Sequence, residues 1–288
     1  MLNLKKILLP VDYPVASLNV IRQAAILAHH FTSEIMVLHV ATERSHAAGV
    51  PEDAREMADW DLLAAIIRQA QNQQDPSLGP DLAGLTIRCK LVKDDVAFAI
   101  VQTAQEEKAD LIMMPSHSFT FYQFLLGTVT AKVVHGTECP VWTGAHVEGP
   151  PGQKFAIRSV LCAVKFGPRC NLTASWASQL AADFGARLTL VNVTGGVELW
   201  GPGGDYVDEK WKEALVGDAS RQIAKLQQDT GIKADVIIGS GDVPKVLSQA
   251  AKQTKADLLV TGCYPYDGHL RTHGFETICA VQIPVLNV

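Results

Sequence analysis

Two places in the N-terminal half carry residue types able to hold a polar ligand. Asp12 follows the apolar run Leu8-Leu9-Pro10-Val11. A carboxylate there can accept hydrogen bonds from a ribose hydroxyl or a base amino group; it can equally serve as a loop or helix N-terminal carboxylate. Further on, Gly127-Thr128-Val129-Thr130 opens a helical pattern. The free N–H groups of a helix start, with the hydroxyls of Thr128 and Thr130, suit a phosphate, and Thr is also a common cap residue.

Other clusters do less. His29, His30, His39 and His46 lie near one another in sequence. His29 and His30 are adjacent on a helical pattern and point apart, so they do not make the i, i+4 pair that a metal site uses, and no metal is expected. Ser116-His117-Ser118 lacks the flanking glycines and acidic partner of a hydrolase nucleophile elbow. Trp200-Gly201-Pro202-Gly203-Gly204-Asp205-Tyr206 is glycine-rich, but no Lys-Ser or Lys-Thr follows, so it reads as an excursion before a helix and not as a phosphate loop. Phe119, Phe121, Tyr122 and Phe124 either close over a ligand or pack on a neighbouring surface. No residue stands out as catalytic.

The elements that must position Asp12 and the Gly127 turn occur twice. Leu4–Val40 and Ile157–Val193 align without a gap at an offset of 153, and Lys108-Ala109-Asp110-Leu111-Ile112 matches Lys255-Ala256-Asp257-Leu258-Leu259 at an offset of 147. Such a duplication sets domain count and boundary together. It predicts domains over 1–145 and 155–288, joined by Glu148-Gly149-Pro150-Pro151-Gly152-Gln153, where Pro and Gly break regular structure. Lys165 aligns with Asp12, so the second copy is expected to differ in function.

Within each copy, short β-branched runs alternate with helical patterns. Strands are expected over 6–11, 34–40, 86–91, 110–114 and 140–143, with helices near 15–30, 52–72, 95–107 and 127–136. In the second copy strands are expected over 160–164, 187–193, 233–238, 257–260 and 284–287, with helices near 170–184, 207–230, 243–254 and 274–281. Ala97, Ile100, Val101 and Ala104 trace one helical face. Alternating β and α with continuously apolar strands predicts an α/β fold: a doubly wound parallel sheet, five-stranded, covered on both faces. Strand order 3-2-1-4-5 puts the ligand crevice beyond the carboxyl ends of strands 1 and 4, just after Val11 and Met114.

Bulk properties exclude several classes. The chain has 288 residues, 48% of them apolar, and a net charge of −5 with no basic run. That disfavours nucleic acid and anionic membrane surfaces as partners. No run reaches the roughly 18–20 apolar residues of a bilayer span, and Pro10 and Asp12 interrupt the N-terminal apolar run too early for a signal-peptide core. Six scattered cysteines without a CxxC pair suit reduced thiols, hence a cytoplasmic location.

Pro10 and Asp12, Leu38-His39-Val40, Lys108-Ala109-Asp110-Leu111-Ile112, Ser116-His117, Leu126-Gly127-Thr128-Val129 and Cys139-Pro140-Val141 together resemble the universal stress protein family. The resemblance covers both copies and so implies a tandem member with the adenine-nucleotide α-hydrolase-like fold. Some members bind ATP through a Gly-x-x-Gly, nine-residue, Gly-Ser/Thr loop; others lack the loop. Carried over, the resemblance places adenine at Pro10, Asp12 and the backbone of Val40 and Met114, and phosphate at Gly127, Thr128 and Val129. The loop departs from the family pattern, with Pro115 and Ser118 at its first two glycine positions and eight residues before Gly127. Proline removes an N–H donor and a side chain limits backbone approach. Each lost charge-assisted bond costs about 1.5–3 kcal/mol. The expected cofactor is therefore ATP or another adenine nucleotide bound weakly, in the first domain, with Mg²⁺ entering alongside it. In the second domain Lys165, Pro265 and Phe275 replace the matching determinants.

The expected role is a stress-response sensor or regulator, not an efficient enzyme, with slow ATP hydrolysis compatible with bound Mg²⁺. The alternative is a protein-interaction module with both sites degenerate. An enzyme that activates a substrate with ATP fits worst, because it needs an intact phosphate loop. Each copy ends in a short edge strand, and edges invite pairing; the expected arrangement is an intramolecular pseudo-dimer with approximate two-fold symmetry, and a further homodimer is compatible with it.

Overall fold

A computed structural model describes residues 2–11, 18–41, 61, 79–115, 128–144, 155–195, 209–262 and 273–288. The chain divides into two compact units, Asn3–Phe155 and Ala156–Val288, the second of which also takes Leu2.

In the N-terminal unit the described elements are β1 (Lys6–Val11), α1 (Leu18–Phe31), β2 (Glu34–Ala41), the short α2 (Gly79–Leu82), β3 (Ile87–Lys93), α3 (Val96–Glu106), β4 (Leu111–Met114), α4 (Thr128–Gly136) and β5 (Val141–Thr143). The helix expected near 52–72 lies outside the described residues apart from Asp61. Strands run in the order β3-β2-β1-β4-β5, and their pairings are parallel. The C-terminal unit follows the same plan: β6 (Ser159–Ala163), α5 (Cys170–Phe184), β7 (Arg187–Gly195), α6 (Glu209–Thr230), β8 (Asp235–Gly241), α7 (Val243–Thr254), β9 (Leu258–Thr261), α8 (His273–Ala280) and β10 (Val285–Asn287). Here the order is β8-β7-β6-β9-β10, again parallel.

The central strands are buried on both faces. Ile7, Leu8, Leu111, Ile112 and Met113 are at most 1% exposed, as are Val160, Leu161, Leu258, Leu259 and Val260. That burial is why the sequence reads as continuous apolar runs there.

Equivalent local devices recur in both units. Asp95 and Asp242 cap α3 and α7 by accepting the Phe98 and Lys245 N–H groups, which satisfies donors that a helix start leaves open. Lys108 and Lys255 end those helices with φ near 52° and 49°. The carboxylate of Asp110 then accepts the N–H groups of Lys5 and Lys6 at 2.7 and 2.9 Å, and Asp257 accepts those of Arg158 and Ser159 at 2.8 and 3.0 Å. The shared Lys-Ala-Asp motif is thus a clamp that fixes β1 beside β4, and β6 beside β9, at the ends opposite the crevice.

β8 runs to Gly241, beyond the expected end at 238, because its ladder with β7 continues through Gly195↔Gly241. Gly239 and Gly241 have weak strand propensity, so pairing decides this boundary. A side chain at Gly239 would run into Val246.

Candidate functional site

Winding reverses between β1 and β4, so the crevice of the N-terminal unit lies beyond Val11 and Met114. Backbone alternation gives its geometry. The Lys5 carbonyl accepts from Glu34 of β2 at 2.8 Å, and the Lys6 carbonyl from Asp110 beside β4 at 2.9 Å. Odd residues of β1 therefore face β2 and even residues face β4. On β4 the Ile112 N–H donates to Pro140 and the Met114 carbonyl accepts from Gly144, both on the β5 side. Met113 and residue 115 consequently face β1.

The β1–β4 register contains Ile7↔Leu111 and Leu8↔Ile112 and goes no further. To continue, residue 10 would donate its N–H to Met113, and residue 115 would donate to the carbonyl of residue 10. Both positions are proline, and proline has no N–H. The C-terminal unit is the control. Ala163 and Gly262 stand at the matching positions, and the β6–β9 ladder runs from Val160↔Leu258 through Ala163↔Thr261. Two prolines therefore end the pairing early at the N-terminal crevice, while the second crevice stays bonded to its rim.

A buried side chain on the next strand holds the end of β1. His39, 4% exposed, meets the Val11 carbonyl through Nδ1 at 3.1 Å. In the C-terminal unit Asn192, 7% exposed, donates to the Val164 carbonyl at 2.7 Å from the equivalent place. A carbonyl only accepts, so Nδ1 of His39 carries the proton. These bonds set the direction in which the chain leaves toward residue 12 in one unit and Lys165 in the other. The signal was present in the repeat, since His39 and Asn192 share the offset of 153 and both can donate.

The sequence-expected site residues divide as follows. Pro10, Val40 and Met114 all lie buried at the carboxyl ends of β1, β2 and β4. The Met114 carbonyl is engaged by the Gly144 N–H at 3.0 Å, so on the β1 side β4 offers Met113 instead. Thr128 and Val129 open α4. Asp12 and Gly127 lie outside the described residues. Thr130 ties α4 to the crevice, its hydroxyl donating to the Pro115 carbonyl at 3.3 Å.

The first turn of α4 holds no acidic side chain. Its counterpart α8 carries Glu276 there, at the position aligned with Val129. A carboxylate at a helix start occupies the favourable end of the dipole and repels a phosphate. Lys165 is exposed.

Cysteine chemistry is held off at two places: burial and then the charge of Asp110 push the Cys139 thiol up to about 12, and full burial pushes Cys162 higher still. His29 meets the Asp81 carbonyl at 2.9 Å and His30 packs edge-on to Phe31; His46 lies outside the described residues. Among the described residues no group of three His, Cys, Asp or Glu side chains could hold a metal, and no helix is long and apolar enough to cross a membrane. Residues 116–127 and 196–208, with the aromatic and glycine-rich runs, are outside the described set.

A sequence model of the universal stress protein family matches residues 3–143 and again 156–271. Universal stress protein MJ0531 of Methanocaldococcus jannaschii is 28% identical over 141 residues, covering 48% of this chain and 79% of that protein. A universal stress protein from Archaeoglobus fulgidus superposes with a TM-score of 0.69 at 19% identity, covering 98% of this chain and 95% of that one. Protein PA1789 of Pseudomonas aeruginosa, described as functionally unknown, superposes with a TM-score of 0.67 at 15% identity, covering 99% and 92%. At these identities the two structures speak to the fold alone.

Proposed function

Since the chain belongs to the universal stress protein family, by matches in both halves, we propose that its N-terminal half binds an adenine nucleotide and that the protein acts as a stress-response sensor or regulator. The observation that carries this reading is the contrast between the two crevices. In the N-terminal unit the β1–β4 ladder ends two pairs early, next to a helix start free of acidic side chains. In the C-terminal unit the ladder continues and Glu276 opposes an anion. The base lies at the ends of β1 and β2, near Pro10 and Val40, and Asp12, which directly follows Val11, takes the ribose or base. The phosphates meet the Gly127-Thr128-Val129 turn, with Mg²⁺ accompanying a polyphosphate. Binding is weak, because the loop departs from the family pattern, with Ser118 at its second glycine position and eight residues before Gly127.

The site binds and does not turn over efficiently. The described side chains at the strand ends, Val11, Val40, Met114 and Val129, offer no general base, and His39 is committed to Val11.

The test is calorimetry on the whole chain and on Asp12→Ala with Mg-ATP, ADP and AMP, with thermal shift as a screen. Ligand at about 100 times its Kd stabilises the fold by about 2.7 kcal/mol. The expected result is one site per chain, weakened by Asp12→Ala. No heat and no shift with any nucleotide at millimolar concentration refutes the proposal and favours a protein-interaction role.

A further inference from the structure

β8 closes the strand order of the C-terminal unit and pairs on one side, with β7. The Val191 carbonyl accepts the Val164 N–H at 2.8 Å, so odd residues of β7 face β6 and even residues face β8. The register Val193↔Gly239 then joins Gly239 to Asn192 and Thr194, and the Thr194 hydroxyl also donates to the Gly239 carbonyl at 3.1 Å. Odd residues of β8 are thus engaged with β7. The N–H and C=O groups of Val236, Ile238 and Ser240 point the other way, and among the described residues none of them meets a partner. The edge is also unguarded. β3, its counterpart in the N-terminal unit, carries Arg88, Lys90 and Lys93, charges of the kind that keep an edge strand from pairing. β8 has no proline and a single charged residue, Asp235, at its start. Val236 stands 41% exposed.

We propose that β8 pairs antiparallel with β8 of a second copy of this chain, about a two-fold axis through Ile238. What selects a second copy is the complementarity of the strand to itself. Centred on Ile238, every outward residue meets an outward residue: Ile238 opposes Ile238, and Val236 opposes Ser240. Each such pair exchanges two N–H···O bonds, about six across the seam. Centres at Ile237 or Gly239 leave one of the three outward residues unmatched within the strand. Asp235 falls opposite Gly241, so no like charges meet directly. Ile237 falls opposite Gly239, which has no side chain to crowd it. A contact of this isologous kind closes on two copies and does not propagate.

Sedimentation equilibrium of the full chain should show a reversible dimer that dissociates on dilution. Ile238→Lys sets two ammonium groups against each other at the axis and should weaken the dimer about tenfold or more. Ser240→Pro removes an outward N–H and no bond to β7, and should weaken it too while the urea melt keeps its midpoint. Phe98→Lys, at a residue of α3 that is 58% exposed, should leave the dimer unchanged. Amide-resolved hydrogen exchange on the unaltered chain reads the register without any substitution. Raising the protein concentration should slow Val236, Ile238 and Ser240 and leave Ile237 and Gly239 as they were, since those two are already bonded to β7. A chain that stays monomeric at submillimolar concentration overturns the proposal, even if the edge takes up some other extended strand. A dimer that neither β8 variant weakens, or one whose formation protects no alternate amides of β8, overturns it as well.

Discussion

Replacing Asp110 by alanine should destabilise the N-terminal unit by roughly 2–4 kcal/mol without touching the crevice. One carboxylate oxygen takes two backbone N–H groups, from Lys5 at 2.7 Å and Lys6 at 2.9 Å. Charge-assisted bonds of this kind contribute about 1.5–3 kcal/mol each, and the low end applies because the Lys5 bond is exposed. The substitution also strands two donors at the start of a central strand. With a urea slope of about 2 kcal/mol/M, the unfolding midpoint of that unit should fall by about 1–2 M. Asp110→Asn keeps an acceptor and loses the charge, so its cost should be about half. Asp257→Ala is the internal control: Asp257 holds Arg158 and Ser159 at 2.8 and 3.0 Å, and the same loss should appear in the C-terminal unit. A second readout is chemical. The charge of Asp110 is, after burial, a cause of the raised Cys139 pKa, so Asp110→Asn should speed native alkylation of Cys139 modestly. A midpoint change below about 0.3 M for both alanine variants would refute the clamp, and the motif would then need another role.

Two further outcomes follow from local geometry. Burial raises the Glu107 pKa, but the hydrogen bond from Lys6 and the charges of Lys6, Lys90 and Arg88 outweigh it, leaving the carboxyl below its ordinary value. The native state therefore binds the proton less tightly than the unfolded chain. The stabilisation is present above the ordinary carboxylate range and is lost as pH falls through the lowered pKa. Thermal denaturation between about pH 3 and 6 should show this slope flattened in Glu107→Gln, and salt should weaken it because the partners are partly exposed. A Cβ at Gly144 would collide with the Val20 side chain in the first turn of α1. Gly144→Ala should cost about 1–3 kcal/mol in denaturant melts; because Gly144 also donates to Met114, it should weaken nucleotide binding at the adjoining crevice as well.

The amino-acid sequence by itself determined what local rules can read. Apolar runs, helical periodicity and the duplicated segments pointed to two α/β units, because these signals sit within windows of a few residues or repeat at constant spacing; the strand order was chosen from the few topologies that right-handed crossovers allow. The family resemblance named Pro10, Val40 and Met114, which lie at the carboxyl ends of β1, β2 and β4. Tertiary structure decided the rest. In the sequence, Pro115 counted only as a donor lost to phosphate. Its place opposite Pro10, on a strand more than a hundred residues away, emerges only from the register of β1 against β4. The same holds for the buried Trp142 indole, which donates to Gln23 at 2.7 Å across 119 residues, and for His39 beneath the end of β1. Pairings at that separation follow from how whole strands and helices pack, and no local propensity encodes them.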